Sequence, residues 1–109
     1  MNLYLVDVKG TLTLDGVSEW VEKQDYDSLI VWSSDPFAAS EMVRELGWED
    51  KAHATDKARY MDVYGIFKDK DVDIFFVDDS YGLASSMERW WNSKENVKSF
   101  THIAPSDIN

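Results

Sequence analysis

Cysteine is absent from this 109-residue chain, and only two prolines and five glycines interrupt it. Without cysteine there is no disulfide framework, no thiolate metal site and no thiol nucleophile. Scarce proline and glycine leave no linker or low-complexity stretch, and no internal repeat is visible. No apolar run approaches the roughly 20 residues that a membrane helix needs, and Met1–Asp7 lacks the pattern of a secretory leader. The expectation is a cytoplasmic protein with no membrane association. Positive charge is also short: 11 basic against 21 acidic residues give a formal net charge of −10. Such a surface repels phosphate backbones, which argues against nucleic acid as a partner.

What remains is a composition that is 44% hydrophobic and 14% aromatic, suited to one packed domain spanning residues 1–109. Five tryptophans are many for this length. They are expected to fill the core, with the Trp90–Trp91 pair a candidate for a half-buried binding surface. An acidic or tryptophan-rich face would then suit a protein partner.

Apolar runs and amphipathic stretches alternate along the chain. Leu3–Val6, Leu29–Trp32 and Ile74–Val77 are short apolar runs without alternation, as expected of strands buried on both faces. Val97–Ile103 reads as a further strand and Lys51–Ala54 as a weaker one. Between them, Asp35-Pro36 opens a helix that Gly47 stops, with Ala39, Met42, Val43 and Leu46 on its buried stripe. Thr55 or Asp56 caps a second helix, with Tyr60, Met61, Tyr64 and Phe67 on one face. Ser80 caps a third, with Leu83, Ala84, Met87 and Trp91 facing inward. Thr11–Leu14 and Val17–Val21 around Asp15-Gly16 read as a hairpin, with a helix over Val17–Val21 as the competitor. The pattern predicts an α/β, three-layer, Rossmann-like domain with a central parallel sheet of about five strands.

Three apolar runs end in polar residues, at Asp7, Ser33 and Asp78-Asp79. In an open parallel sheet, sites form at the carboxyl ends of strands where the order reverses. With the first strand central and the other two on its flanks, all three endings converge on one crevice. A single such ending means little, because Asp and Ser are common turn residues. The histidines, His53 and His102, have no metal-ligand spacing and are expected to be structural or exposed.

These residues carry a resemblance. Asp7-Val8-Lys9-Gly10-Thr11-Leu12-Thr13 resembles the first motif of the haloacid-dehalogenase superfamily, an apolar strand followed by Asp-x-Asp-Gly-Thr-Leu-Thr. Leu29–Ser33 is similar to its second motif, Lys57 to the lysine of its third, and Phe76-Val77-Asp78-Asp79 to its fourth. The layout from Lys57 to Trp90 is similar to the phosphatase domain of phage polynucleotide kinases.

The resemblance implies a Mg2+-dependent phosphohydrolase without a cap domain, acting on a phosphorylated small molecule or protein. Asp7 would be the nucleophile that accepts the phosphoryl group. Asp7, the Lys9 backbone carbonyl, Asp78 and Asp79 would hold Mg2+. Thr11, Ser33, Ser34 and Lys57 would surround the phosphoryl oxygens, with Lys57 neutralising charge on the nucleophile and the transferring group.

Lys9 departs from the pattern, because the family's second Asp is its general acid and base. Loss of such a group typically costs about 10²–10⁴-fold in rate. Asp15 is a candidate substitute. The alternative implied by Lys9 is a catalytically silent domain that binds a protein partner. A response-regulator receiver, also small and acidic, places its acidic pair after the first strand, which is the reverse of the order here.

Overall fold

The computed structural model describes residues 1–108. Five parallel strands form one sheet in the order β3-β2-β1-β4-β5: β1 (Asn2–Asp7), β2 (Ser28–Ser33), β3 (Ala52–Asp56), β4 (Val72–Val77) and β5 (Val97–Ile103). Helices α1 (Val17–Glu22) and α2 (Pro36–Glu45) cover one face of the sheet. Helices α3 (Tyr60–Phe67) and α4 (Tyr81–Asn92) cover the other. This is the expected three-layer α/β architecture.

The apolar strands do not alternate because each face of the sheet has its own core. In β1, Leu3 and Leu5 join Ile74, Phe76, Val63 and Trp91 on one side. Tyr4 and Val6 join Val31, Val17, Val43 and Trp48 on the other. Burying both faces is what parallel sheets require, since crossover helices lie over each. No helix among the described residues is long and apolar enough to cross a membrane.

The helix signals operate as local chemistry dictates. The Asp35 carboxylate accepts from the Phe37 backbone N–H at 3.0 Å and starts α2 with Pro36 in its first turn. The Ser80 hydroxyl accepts from the Leu83 N–H at 3.2 Å and starts α4. Gly47 ends the α2 segment with φ +69°, a conformation that costs a residue with a side chain about 1–2 kcal/mol.

Two expectations need correction. Thr11–Leu14 and Val17–Val21 do not form a hairpin. Residues 8–12 make an irregular turn, and Val17–Glu22 is helical. Val17 and Val21, four residues apart, lie on one side of this helix and are fully buried against the sheet. Gly16, at φ +87°, is the N-cap that turns the chain into this helix rather than a hairpin corner. In α3, Met61 is 59% exposed, and Val63 with Phe67 supplies the buried face. None of the five tryptophans is strongly exposed. Trp32, Trp48 and Trp91 are buried, Trp20 is half-buried, and Trp90 packs edge-on against Tyr60, Tyr64 and Trp91.

Candidate active site at the carboxyl end of the sheet

Strand register creates the site. Val6 of β1 pairs with Val77 of β4, so the next residues, Asp7 and Asp78, leave the sheet side by side. On the other flank Asp7 pairs with Trp32, and Ser33 follows. Ser33 in turn pairs with Asp56 of β3, so Lys57 emerges just beyond it. Four strands thus deliver Asp7, Asp78, Ser33 and Lys57 to the same edge of the sheet, beside the point where the strand order reverses.

Lys57 bridges the first two. Its Nζ lies 2.7 Å from Asp7 Oδ1 and 3.0 Å from Asp78 Oδ2. Asp56 sets the bend that allows this, its carboxylate accepting from the Ala58 N–H at 2.9 Å. Asp7 Oδ2 accepts from the Thr11 hydroxyl at 3.2 Å, and Thr11 is fully buried. Thr11 therefore orients Asp7. Asp78, also fully buried, accepts at Oδ1 from the Ser80 N–H at 2.9 Å. Ser33 is buried at its strand end, where its oxygen accepts from the Asp35 N–H at 3.1 Å and its own hydrogen stays available. Ser34 is exposed beside it.

Asp7, Asp78 and Asp79 offer carboxylate oxygens that all lie within 4.8 Å of one another, with Asp79 exposed at the mouth. Gly10, at φ +75°, brings its backbone against the Asp79 carboxylate, where a Cβ would collide with that carboxylate. Lys9 adopts an extended backbone conformation in the same turn, and its side chain is exposed. Asp15 lies farther along, exposed in the turn before α1.

Three carboxylates facing one ammonium leave excess negative charge in a partly desolvated place. Burial pushes the Asp7 carboxyl above its usual range, and Asp78 adds to that against the opposing pull of Lys57. Burial alone would lower the Lys57 ammonium, but Asp7 and Asp78 outweigh it and hold its pKa above the ordinary lysine value. Such a cluster can hold a cation. An all-oxygen donor set with no His or Cys suits a hard divalent ion. The oxygens bonded to Lys57 and Thr11 keep lone pairs for it.

No protein-family model, curated protein or solved structure matches this chain.

One contributor is a histidine that the sequence marks as structural or exposed. His102 Nε2, on β5, lies 2.8 Å from the Asp78 carbonyl, and the Tyr81 ring packs edge-on against its imidazole at 5.1 Å. The contact requires the tautomer or cation that carries hydrogen on Nε2. The Asp78 N–H is held in turn by the Ile103 carbonyl at 3.2 Å. β5 thereby fixes the loop that carries the acidic pair. A lone His inside a strand gives no sequence signal for this, because its partner is a backbone atom of a strand neighbour.

Proposed function

We propose that this chain is a phosphohydrolase of the haloacid-dehalogenase type, with Asp7 as nucleophile and Mg2+ as cofactor. The observation that carries the reading is the Lys57 ammonium shared between the carboxylates of Asp7 and Asp78, with Asp79 completing the acidic triad. An ammonium there offsets the charge of an incoming phosphoryl group and of the carboxylate that attacks it. Thr11 holds one Asp7 oxygen, so the carboxylate presents a fixed face to phosphorus. Ser33 offers a hydroxyl hydrogen to a phosphoryl oxygen from the adjacent strand end.

Asp7, Asp78 and Asp79 would hold Mg2+, with the Lys9 carbonyl as a further ligand. The ion would supply charge neutralisation for the phosphoryl oxygens. Asp7 attacks phosphorus, its carboxylate oxygen forms the new bond and the ester oxygen departs. Water then cleaves the aspartyl-phosphate and regenerates the carboxylate. Lys9 stands where the resembled family keeps the carboxyl that serves as general acid and base, so turnover of ordinary esters is slow.

A second reading, a silent domain that binds a protein partner, is favoured by Lys9 and by the net charge of −10. Turnover of an aryl phosphate separates the two. The enzymatic reading expects Mg2+-dependent hydrolysis that Asp7→Asn abolishes. Absence of turnover with activated phosphates in Mg2+ rejects it.

A further inference from the structure

The two edge strands, β3 and β5, are not alike. An edge strand turns the N–H and C=O groups of alternate residues away from its sheet, where another chain can pair with them. β5 carries two devices that blunt this, the exposed Lys98 and a shift of register against β4 at Val72 and Asp73. β3 carries neither. It pairs with β2 in unbroken register from Ala52 to Asp56, and Ala52-His53-Ala54-Thr55 contains no proline, lysine or carboxylate.

β3 is also open on one face. Ala52 and Ala54 pack into the core beneath α2. His53 and Thr55 pair with Ile30 and Trp32, so they point to the α3 side, where Val63 and Phe67 pack with Ile30 and the inner strands. A trough is left between α3 and β3. Two hollows of about 350 and 430 Å³ share Ile30, His53 and Ile66, and together they run along the strand from Ala52 to Thr55. Ile66 lines both and is 60% exposed. Asp27, Glu49 and Asp50 stand at the end where β3 begins, with Lys51 as the cation among them. At the other end Arg59 is already paired with Asp62 at 3.2 Å.

From the unguarded edge and the trough beside it together, we propose that β3 docks an extended segment of a partner protein as a sixth strand. The free backbone groups of β3 bond the segment, and one of its apolar side chains rests on Ile66. A basic residue of the segment lies beside Glu49 and Asp50, where the trough is most acidic. A second copy of this chain fits less well, because each copy brings a net charge of −10 and the same acidic end. The trough is separate from the acidic triad, so docking does not depend on the phosphohydrolase reading.

The probe is a fluorescent synthetic peptide of alternating valine and threonine with an arginine at each end, titrated by anisotropy at low salt. Two further versions carry methyl groups on alternate backbone nitrogens, in complementary patterns. The expected result is binding by the plain peptide, a loss of at least about 10-fold for one methylated version and little change for the other, because a strand bonds its neighbour through alternate residues. Hydrogen exchange in Ala52–Asp56 should slow when the plain peptide binds. Ile66→Lys should weaken binding by at least about 10-fold without lowering Tm. Glutamates in place of the arginines should weaken it by a similar factor. Asp7→Asn should bind as the native chain does, and loss of binding in that variant would move the peptide to the acidic triad and overturn the proposal. No binding up to about 1 mM, or equal binding by all three peptides, also overturns it. A dimer in sedimentation equilibrium that Ile66→Lys dissolves would assign the edge to a second copy and reject the partner segment.

Discussion

The Lys57 ammonium sits 2.7 Å from the Asp7 carboxylate although the two residues emerge from strands separated by β2. Neighbouring strands lie about 4.8 Å apart, so only a long side chain leaving the end of β3 can cross β2. The bridge is therefore a tertiary feature, made by sheet order and by the bend at Asp56.

Removing that cation should leave three carboxylates to repel one another. Lys57→Met is expected to lower stability by about 3 kcal/mol in the presence of a chelator, the low end for a broken buried pair because Lys57 keeps some solvent contact. Added Mg2+ should restore part of the loss. Urea denaturation with and without the ion checks both statements, and an unchanged midpoint contradicts them.

Asp7 makes the complementary prediction for pH. Its carboxyl is raised in the folded state, chiefly by burial, so the native protein binds more protons than the unfolded chain. Stability contributed by this group then falls as pH rises from the ordinary carboxylate value through the raised one. Without metal, charged Asp7 is a net cost at neutral pH, and Asp7→Asn should raise Tm there. The advantage of the variant should vanish as pH drops below the ordinary carboxylate value, where both states are protonated. Scanning calorimetry in chelator from neutral to acid pH measures the gap, and a less stable variant at pH 7 would contradict the account.

His102 is expected to act through Asp78 rather than on a substrate. His102→Ala removes the group that contacts the Asp78 carbonyl and should weaken Mg2+ binding by about 10-fold, the low end for partners that orient metal ligands. His102→Gln, which can supply an N–H, should recover part of that affinity. Titration calorimetry with Mg2+ gives the comparison, and equal affinities for all three proteins would show that β5 only supports the fold.

Much of this architecture could be read from the residues, and the exceptions have physical causes. Leu3–Val6, Leu29–Trp32 and Ile74–Val77 declare themselves as doubly buried strands because nothing polar interrupts them. Asp35-Pro36 and Ser80 announce helix starts by chemistry that acts within three residues. Asp7 and Asp78 leave adjacent strand ends side by side, and Ser33 leaves the next, as their positions suggested, whereas Lys57 is marked in the sequence only by the family resemblance. The segment over 11–21 misled because Asp15-Gly16 is a good turn while Val17 and Val21 suit strand or helix equally. Burial against α2's side of the sheet decided between them, and burial is a tertiary fact. Met61 failed for a similar reason, since the 3₁₀ turn Lys57–Arg59 sets the phase of α3 and points it outward. His102 and the shared Lys57 ammonium depend on strand register, which no local pattern encodes.

Lys9 sets the reach of the chemistry. Lys9→Asp places a carboxyl two residues after the nucleophile, where the resembled family keeps its acid and base. Hydrolysis of an alkyl phosphate should rise by about 100-fold, with a smaller gain for nitrophenyl phosphate, which needs no protonation. Equal gains on both esters would mean that the substitution acts through charge alone.

The most direct measurement is where the phosphoryl group goes. Protein mixed with an aryl phosphate and Mg2+, quenched in acid within a turnover and mapped by peptide mass, should carry one added phosphoryl mass on the peptide containing Asp7. Asp7→Asn should carry none. Label on another residue, or turnover that persists in Asp7→Asn, would contradict the account.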